Sequence, residues 1–315
     1  MNLAQKITEY YFDHLEDLPL QKRFHFANRL ATWASDPSAL KIVSELRASI
    51  VQDDAGHKNF VGLFQKMIAK SYTTDPHMSA YQQRVPYFIK YSPVYGLESA
   101  LFRLHYLEAL YGLDERQAFE KVVGINDLLA LEEKLLFDSQ AVRLLSSYAV
   151  NFSYLLHNVL LKDDKTSPKI FYQAAQNYDI SDPESLRLLA YLYTHCIIAD
   201  SNFYTRTIPE ESLAIYISML KKLEQHIGGQ YYQFSLDVKL EFLVCARICN
   251  YGSNLAAKIN DECQNSLSDE GTFIVDAHNA HALNSHKRSF AGSEHRNVLF
   301  IMSTQPYKAK DSLNI

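Results

Sequence analysis

Apolar positions along this chain recur at three- and four-residue spacing, the period of an α-helix, and almost nowhere alternate as a strand requires. Clear start and stop signals punctuate the pattern. Asp36-Pro37, Asp75-Pro76 and Asp182-Pro183 each set a capping side chain before a proline suited to the first helical turn. Pro209, followed by Glu210 and Glu211, opens a helix that Gly228-Gly229 closes. Asp138-Ser139 precedes Leu144, Leu145, Tyr148, Phe152, Leu155, Leu156 and Val159, a spacing that predicts one long buried helix. Further helices are predicted near 3–16, 20–34, 38–51, 57–71, 96–111, 114–123 and 127–137. Only Thr272-Phe273-Ile274-Val275 reads as a short strand.

The expected fold class is therefore all-α. Helices joined by short loops predict antiparallel helical hairpins, in an α/α toroid-like or a solenoid-like array. No fixed-period repeat with signature residues is found, so the named repeat families are not indicated. Two segments, 183–200 and 235–251, are apolar around their whole circumference, which places them inside a packed structure. The expected organisation is a helical array over 1–267 and a polar, histidine-containing segment over 268–315. Lys162-Asp163-Asp164-Lys165-Thr166-Ser167-Pro168 is a candidate seam within the array. Val298, Leu299, Phe300, Ile301 and Met302 would bring the last segment back onto the core.

Composition narrows the function classes. A hydrophobic fraction of 47% supplies a sizeable core. Tyrosines number 21 against one tryptophan, so many helix seams must find hydroxyl partners. The net charge of −5 comes without a Lys/Arg stripe, which argues against a nucleic-acid partner. No window reaches the roughly 18 apolar residues of a membrane span, and no signal-type apolar run follows the start. Cys196, Cys245, Cys249 and Cys263 lack C-x-x-C spacing and read as small buried hydrophobes in a reducing compartment. A cytoplasmic protein is expected.

Candidate chemistry gathers on the two apolar helices. Asp237 and Glu241 lie one turn apart on a single face, flanked by Leu236, Leu240, Phe242, Leu243 and Val244. A carboxylate pair in such surroundings needs a cation, several donors or a shared proton. Arg187, Arg206 and Arg247 are available as structural partners. His195 sits mid-helix, where it either donates to a backbone or tyrosine group or meets Asp237 and Glu241. The second arrangement would raise its pKa and suit acid–base work. Thr194, Ser201, Tyr204 and Arg206 surround this helix end and are the expected ligand-binding groups, with His295 from the polar cluster Ser293-Glu294-His295-Arg296-Asn297 folding back as a lid.

The order Thr194-His195, Ser201 with Phe203-Tyr204, then Asp237 and Glu241 in apolar surroundings resembles bacterial all-helical domains of unknown function, some with toroid-like packing. The resemblance spans about residues 185–250. It implies a helical fold and assigns no catalytic residue. Asp276, His278 and His281 have a spacing that could place metal ligands on one helical turn, but H-E-x-x-H is missing and no metal site is assigned. Phosphate-cradling glycine loops and G-x-S-x-G are absent. The expected function is a helical binding or scaffold protein. Its ligand could be a protein, a peptide or a small molecule, and no cofactor is named. The alternative is a metal-dependent or acid/base enzyme using His195, Asp237 and Glu241.

Overall fold

The computed structural model describes residues 2–52, 59–70, 82–277 and 288–309. Among these residues every regular element is a helix, and the one β-type contact is an isolated bridge between Leu267 and Ile274. The chain begins with α1 (Leu3–Asp13), α2 (Leu20–Ala34) and α3 (Pro37–Glu45). It continues through α4 (Arg47–Val51), α5 (Phe60–Ile68), α6 (Val85–Lys90), α7 (Ser92–Tyr111), α8 (Arg116–Glu120) and α9 (Ile125–Phe137). Then come α10 (Ser139–Leu145), α11 (Ser147–Leu155), α12 (Pro168–Ala174) and α13 (Pro183–Asp200). The last four are α14 (Glu210–Gly229), α15 (Leu236–Ile248), α16 (Ala256–Gln264) and α17 (Phe290–Thr304).

Two compact units result. Of the described residues, one unit holds those before Leu46 together with 204–309, and the other holds those within Leu46–Phe203. The polar stretch 162–168 lies inside the second unit. The described residues after 267 share the first unit with the N-terminal helices. Among the described residues no helix is long and apolar enough to cross a membrane. All four cysteines are buried and unbridged.

The first unit is built around α17, against which α1, α2 and α15 pack. Leu236, Leu240, Phe242 and Val244 of α15 are fully buried, each contributing roughly 1.5–3 kcal/mol of burial. Two acceptors finish the start of α15. Ser235 accepts from the Val238 amide, and Asp276 accepts from the Leu236 amide at 3.1 Å. The stretch predicted as a strand, 272–275, forms instead a tight backbone turn. Val275 N donates to Ser266 O and Ser268 N to Phe273 O, each at 2.7 Å. A second strand is replaced by a side chain: the Asn297 carboxamide accepts from Ile274 N (2.8 Å) and donates to Ile274 O (2.9 Å). One buried amide on α17 thus satisfies the backbone groups a sheet neighbour would have taken.

In the second unit α11 packs between α7 and α13. Asp182 caps α13 by accepting from the Glu184 and Ser185 amides, with Pro183 in the first turn. The single long helix expected from 139 onward is broken. Ser146 adopts φ +48°, and its buried hydroxyl donates to Leu188 O at 2.7 Å, which offsets the left-handed backbone. Beyond α11 the chain winds as a π-helix over Leu156–Leu161 and stops at Lys162, φ +53°. Phe88 and Tyr91 are buried, and the Tyr91 hydroxyl donates to Asp138 at 2.9 Å.

Candidate functional site

The densest polar arrangement lies in the first unit, where α2 faces α17. Helix α2 buries Phe24, Phe26, Ala27, Leu30, Ala31 and Trp33. Its remaining face carries Lys22, His25 and Arg29, one and two turns apart, all partly exposed. Glu294 on α17 meets this stripe with a fully buried side chain, 2.6 Å from His25 Nδ1 and 3.2 Å from Lys22 Nζ. His295 follows it, partly exposed, with its ring centroid 5.4 Å from that of His25.

The hydrogen-bond chain has a fixed polarity. Arg29 Nε lies 2.7 Å from His25 Nε2, and a guanidinium has only donors. Nε2 is therefore the acceptor, and the single ring proton sits on Nδ1, aimed at the Glu294 carboxylate. Arg29 Nη1 donates onward to the Tyr204 hydroxyl, and its guanidinium lies 5.1 Å from the Tyr204 ring centroid. Tyr204 is delivered by strained backbone: Asn202, Phe203 and Tyr204 are successive left-handed residues, φ 47°, 53° and 76°. Each costs on the order of 1–2 kcal/mol for an L residue, so the surrounding packing must hold them.

Electrostatics divide the labour. Burial and the neighbouring Arg29 lower the His25 pKa against the pull of Glu294, so the ring stays neutral. Burial works against the Glu294 carboxylate, but His25 and Lys22 outweigh it and hold its pKa below the usual range. His295 is pushed well below the ordinary value by burial and then by Arg29, His25, Lys22 and Arg296. Burial chiefly raises the Tyr204 pKa, with Glu241 adding to the shift, so the phenol keeps its proton. A neutral imidazole surrounded by cations suits an anion. It does not suit a resident general base, because the outer nitrogen of His25 is already filled by Arg29.

Four of the residues expected from sequence, Tyr204, Asp237, Glu241 and His295, lie in this unit, as does Arg206, whose backbone carbonyl accepts from the Tyr307 hydroxyl at 2.6 Å. Asp237 receives Arg296 Nη2 at 2.9 Å, so a residue of the polar cluster on α17 supplies its cation. Arg296 is 3% exposed, and its Nε and Nη1 find no hydrogen-bond partner among the described residues. Arg247 instead donates to Ser303 O, and Arg187 pairs with Glu184 one turn away.

His195, Thr194 and Ser201 belong to the other unit. His195 Nδ1 donates to Asn151 Oδ1 at 2.9 Å, and Asn151 Nδ2 donates to Glu98 Oε1 at 2.7 Å. The carboxyl group linked to His195 is therefore Glu98, two steps along. Thr194 and Ser201 each bond back to their own helix, at Ala190 O and Ile198 O. Lys22, His25 and Arg29 were not singled out from sequence. The available signal was their i, i+3, i+7 spacing on an otherwise apolar helix. His278 and His281 lie outside the described residues, and among those described no cluster of three or more His, Cys, Asp or Glu side chains could hold a metal. No family model, curated protein or solved structure matches this chain.

Proposed function

We propose that the chain is a cytoplasmic helical binding protein that captures a small oxyanion, a phosphate or carboxylate group, on the α2–α17 face of its first unit. Lys22 and Arg29 supply charge, His295 supplies an N–H donor, His25 anchors Arg29 from behind, and Tyr204 holds Arg29 in position. Glu294 works beneath them as the fixed acceptor that sets the His25 tautomer. The observation that carries this reading is the convergence of three partly exposed basic side chains of one helix with the partly exposed His295 around a single buried carboxylate. An incoming oxyanion would favour protonation of His295, because it adds the negative charge that the neighbouring cations lack there.

Titration with inorganic phosphate, followed through the histidine ring resonances, tests this. His295 and His25 should shift saturably and titrate at higher pH with phosphate bound. Lys22→Gln combined with Arg29→Gln should weaken binding at least about tenfold, about 1.4 kcal/mol. Histidine shifts that do not saturate, or that survive the double substitution unchanged, would overturn the assignment.

A further inference from the structure

A cavity of about 310 Å³ opens in the first unit beside the C-terminal end of α15, lined by Leu243, Ala246, Arg247, Asn260 and Ser303 among others. Lys22, His25, Arg29, Glu294 and His295 take no part in its lining. The size lies at the lower end for small-molecule sites.

The wall is preorganised. Glu224 of α14 accepts from the Tyr251 hydroxyl (2.6 Å), the Ser253 hydroxyl (2.7 Å) and the Asn254 amide (2.7 Å), so one carboxylate fixes the loop after α15. Burial opposes the charge on Glu224, but the Tyr251 and Ser253 donors keep its pKa low, and the clamp stays ionised. Two polar groups of the lining are not spent in this way. Arg247 uses Nε on Ser303 O at 2.8 Å, and among the described residues no carboxylate pairs with it. Asn260 Oδ1 is buried and has no hydrogen-bond partner among the described residues, a cost a protein rarely carries without use. Leu243 and Ala246 give the cavity an apolar side.

We propose that this cavity binds a small organic carboxylate that also carries an O–H or N–H donor, a hydroxy acid or amino acid with a short apolar chain. Arg247 takes the carboxylate, Asn260 Oδ1 accepts from the donor, and Leu243 with Ala246 covers the hydrocarbon. Charge, donor and tail each have one counterpart in the wall.

The probe is 2-hydroxy-4-methylpentanoate, titrated calorimetrically into the full chain up to about 10 mM, a range that detects affinities near −4 kcal/mol. Its amide removes the charge, and 4-methylpentanoate removes the donor. Saturable binding is expected, weakened at least about tenfold for either analogue and about tenfold by Arg247→Gln. Asn260→Leu should weaken binding too, yet leave thermal stability unchanged or raised, because an unpaired polar atom is removed. A residue with a merely structural role would instead lose stability on that change. Absence of saturable binding, or equal binding of acid, amide and deoxy acid, would overturn the proposal. The reading of the α2–α17 face would be untouched, because inorganic phosphate carries no apolar chain and its test reads different side chains.

Discussion

The two units each bury a carboxylate–imidazole contact, and the two contacts carry opposite charge states. In the first unit Glu294 keeps the charge and His25 stays neutral, because burial and then the Arg29 cation outweigh the pull of Glu294 on the ring. In the second, His157 lies between two acids, 2.9 Å from Glu132 and 2.6 Å from Asp163. Ser153 donates to Glu132, and Lys165 stands 3.1 Å from the far oxygen of Asp163. There the hydrogen bond that His157 donates to Glu132 leads, outweighs burial, and raises the His157 pKa. The same pair of residue types thus becomes an anion-facing donor in one unit and a cationic clamp in the other. What decides is the balance around each ring: burial leads for His25, with Arg29 adding to it, whereas hydrogen bonds to two acids prevail for His157.

Three substitutions break or sharpen this contrast. The largest effect is expected from Glu294→Ala, which strips the acceptor from His25 and leaves Lys22 and Arg29 uncompensated. Removing one partner of so buried a contact should cost about 3 kcal/mol in urea unfolding. The Glu294 pKa is depressed, so its contribution is present above the unfolded value of 4.5 and fades as pH falls through the folded one. A variant as stable as the parent at neutral pH would show that Glu294 is not the keystone of the centre.

The second substitution addresses a buried carboxyl group that meets an amide, Glu98 with Asn151 at 2.7 Å. Burial raises Glu98 from 4.5 to about 8, with the Asn151 amide only partly countering it. A raised folded pKa means stability that is full below 4.5 and is lost progressively as pH climbs toward 8. Glu98→Gln keeps the acceptor for Asn151 and removes that loss, so the variant should gain on the order of 2 kcal/mol at neutral pH. Its melting temperature should also vary less between mildly acidic and alkaline buffers. A net loss at neutral pH would mean that Glu98 is ionised in the folded state.

His157→Gln should have the smallest effect, about 1 kcal/mol, from the loss of charge-assisted bonds to Glu132 and Asp163. Its sign of pH dependence is the informative part. The clamp stabilises fully below the ordinary histidine value of 6.5 and weakens as pH rises through the elevated folded pKa. Parent and variant should therefore converge in alkaline buffer. A gap that persists or widens there would reverse the comparison between the units.

Much of the fold was legible in the sequence because helix signals are local. Asp182-Pro183 opens α13, and the all-round apolar helices at 183–200 and 235–251 are buried as expected. The break at Ser146 was not legible, since it depends on a hydrogen bond to Leu188, 42 residues away. The site was half legible. His295, Tyr204 and Asp237 stood out because polar groups beside apolar runs demand explanation, and Asp237 did need a cation. Asp237 found its cation in Arg296, and His195 joined Glu98 through Asn151. A sequence declares that a buried charge requires a partner, but only the packing of distant helices names which one. Lys22, His25 and Arg29 stayed hidden because a basic stripe on a helix reads as an ordinary solvated face.

The three consecutive residues of positive φ at Asn202, Phe203 and Tyr204 carry a consequence for mutational tolerance. This corner of the chain runs with mirror-image winding, which asparagine and glycine accept and β-branched residues resist. A library randomised at 202 should recover glycine and asparagine and be depleted of valine, isoleucine and threonine, even though a side chain of any of those sizes fits many helix ends. Handedness, more than volume or polarity, is the filter that this short stretch imposes on its own evolution.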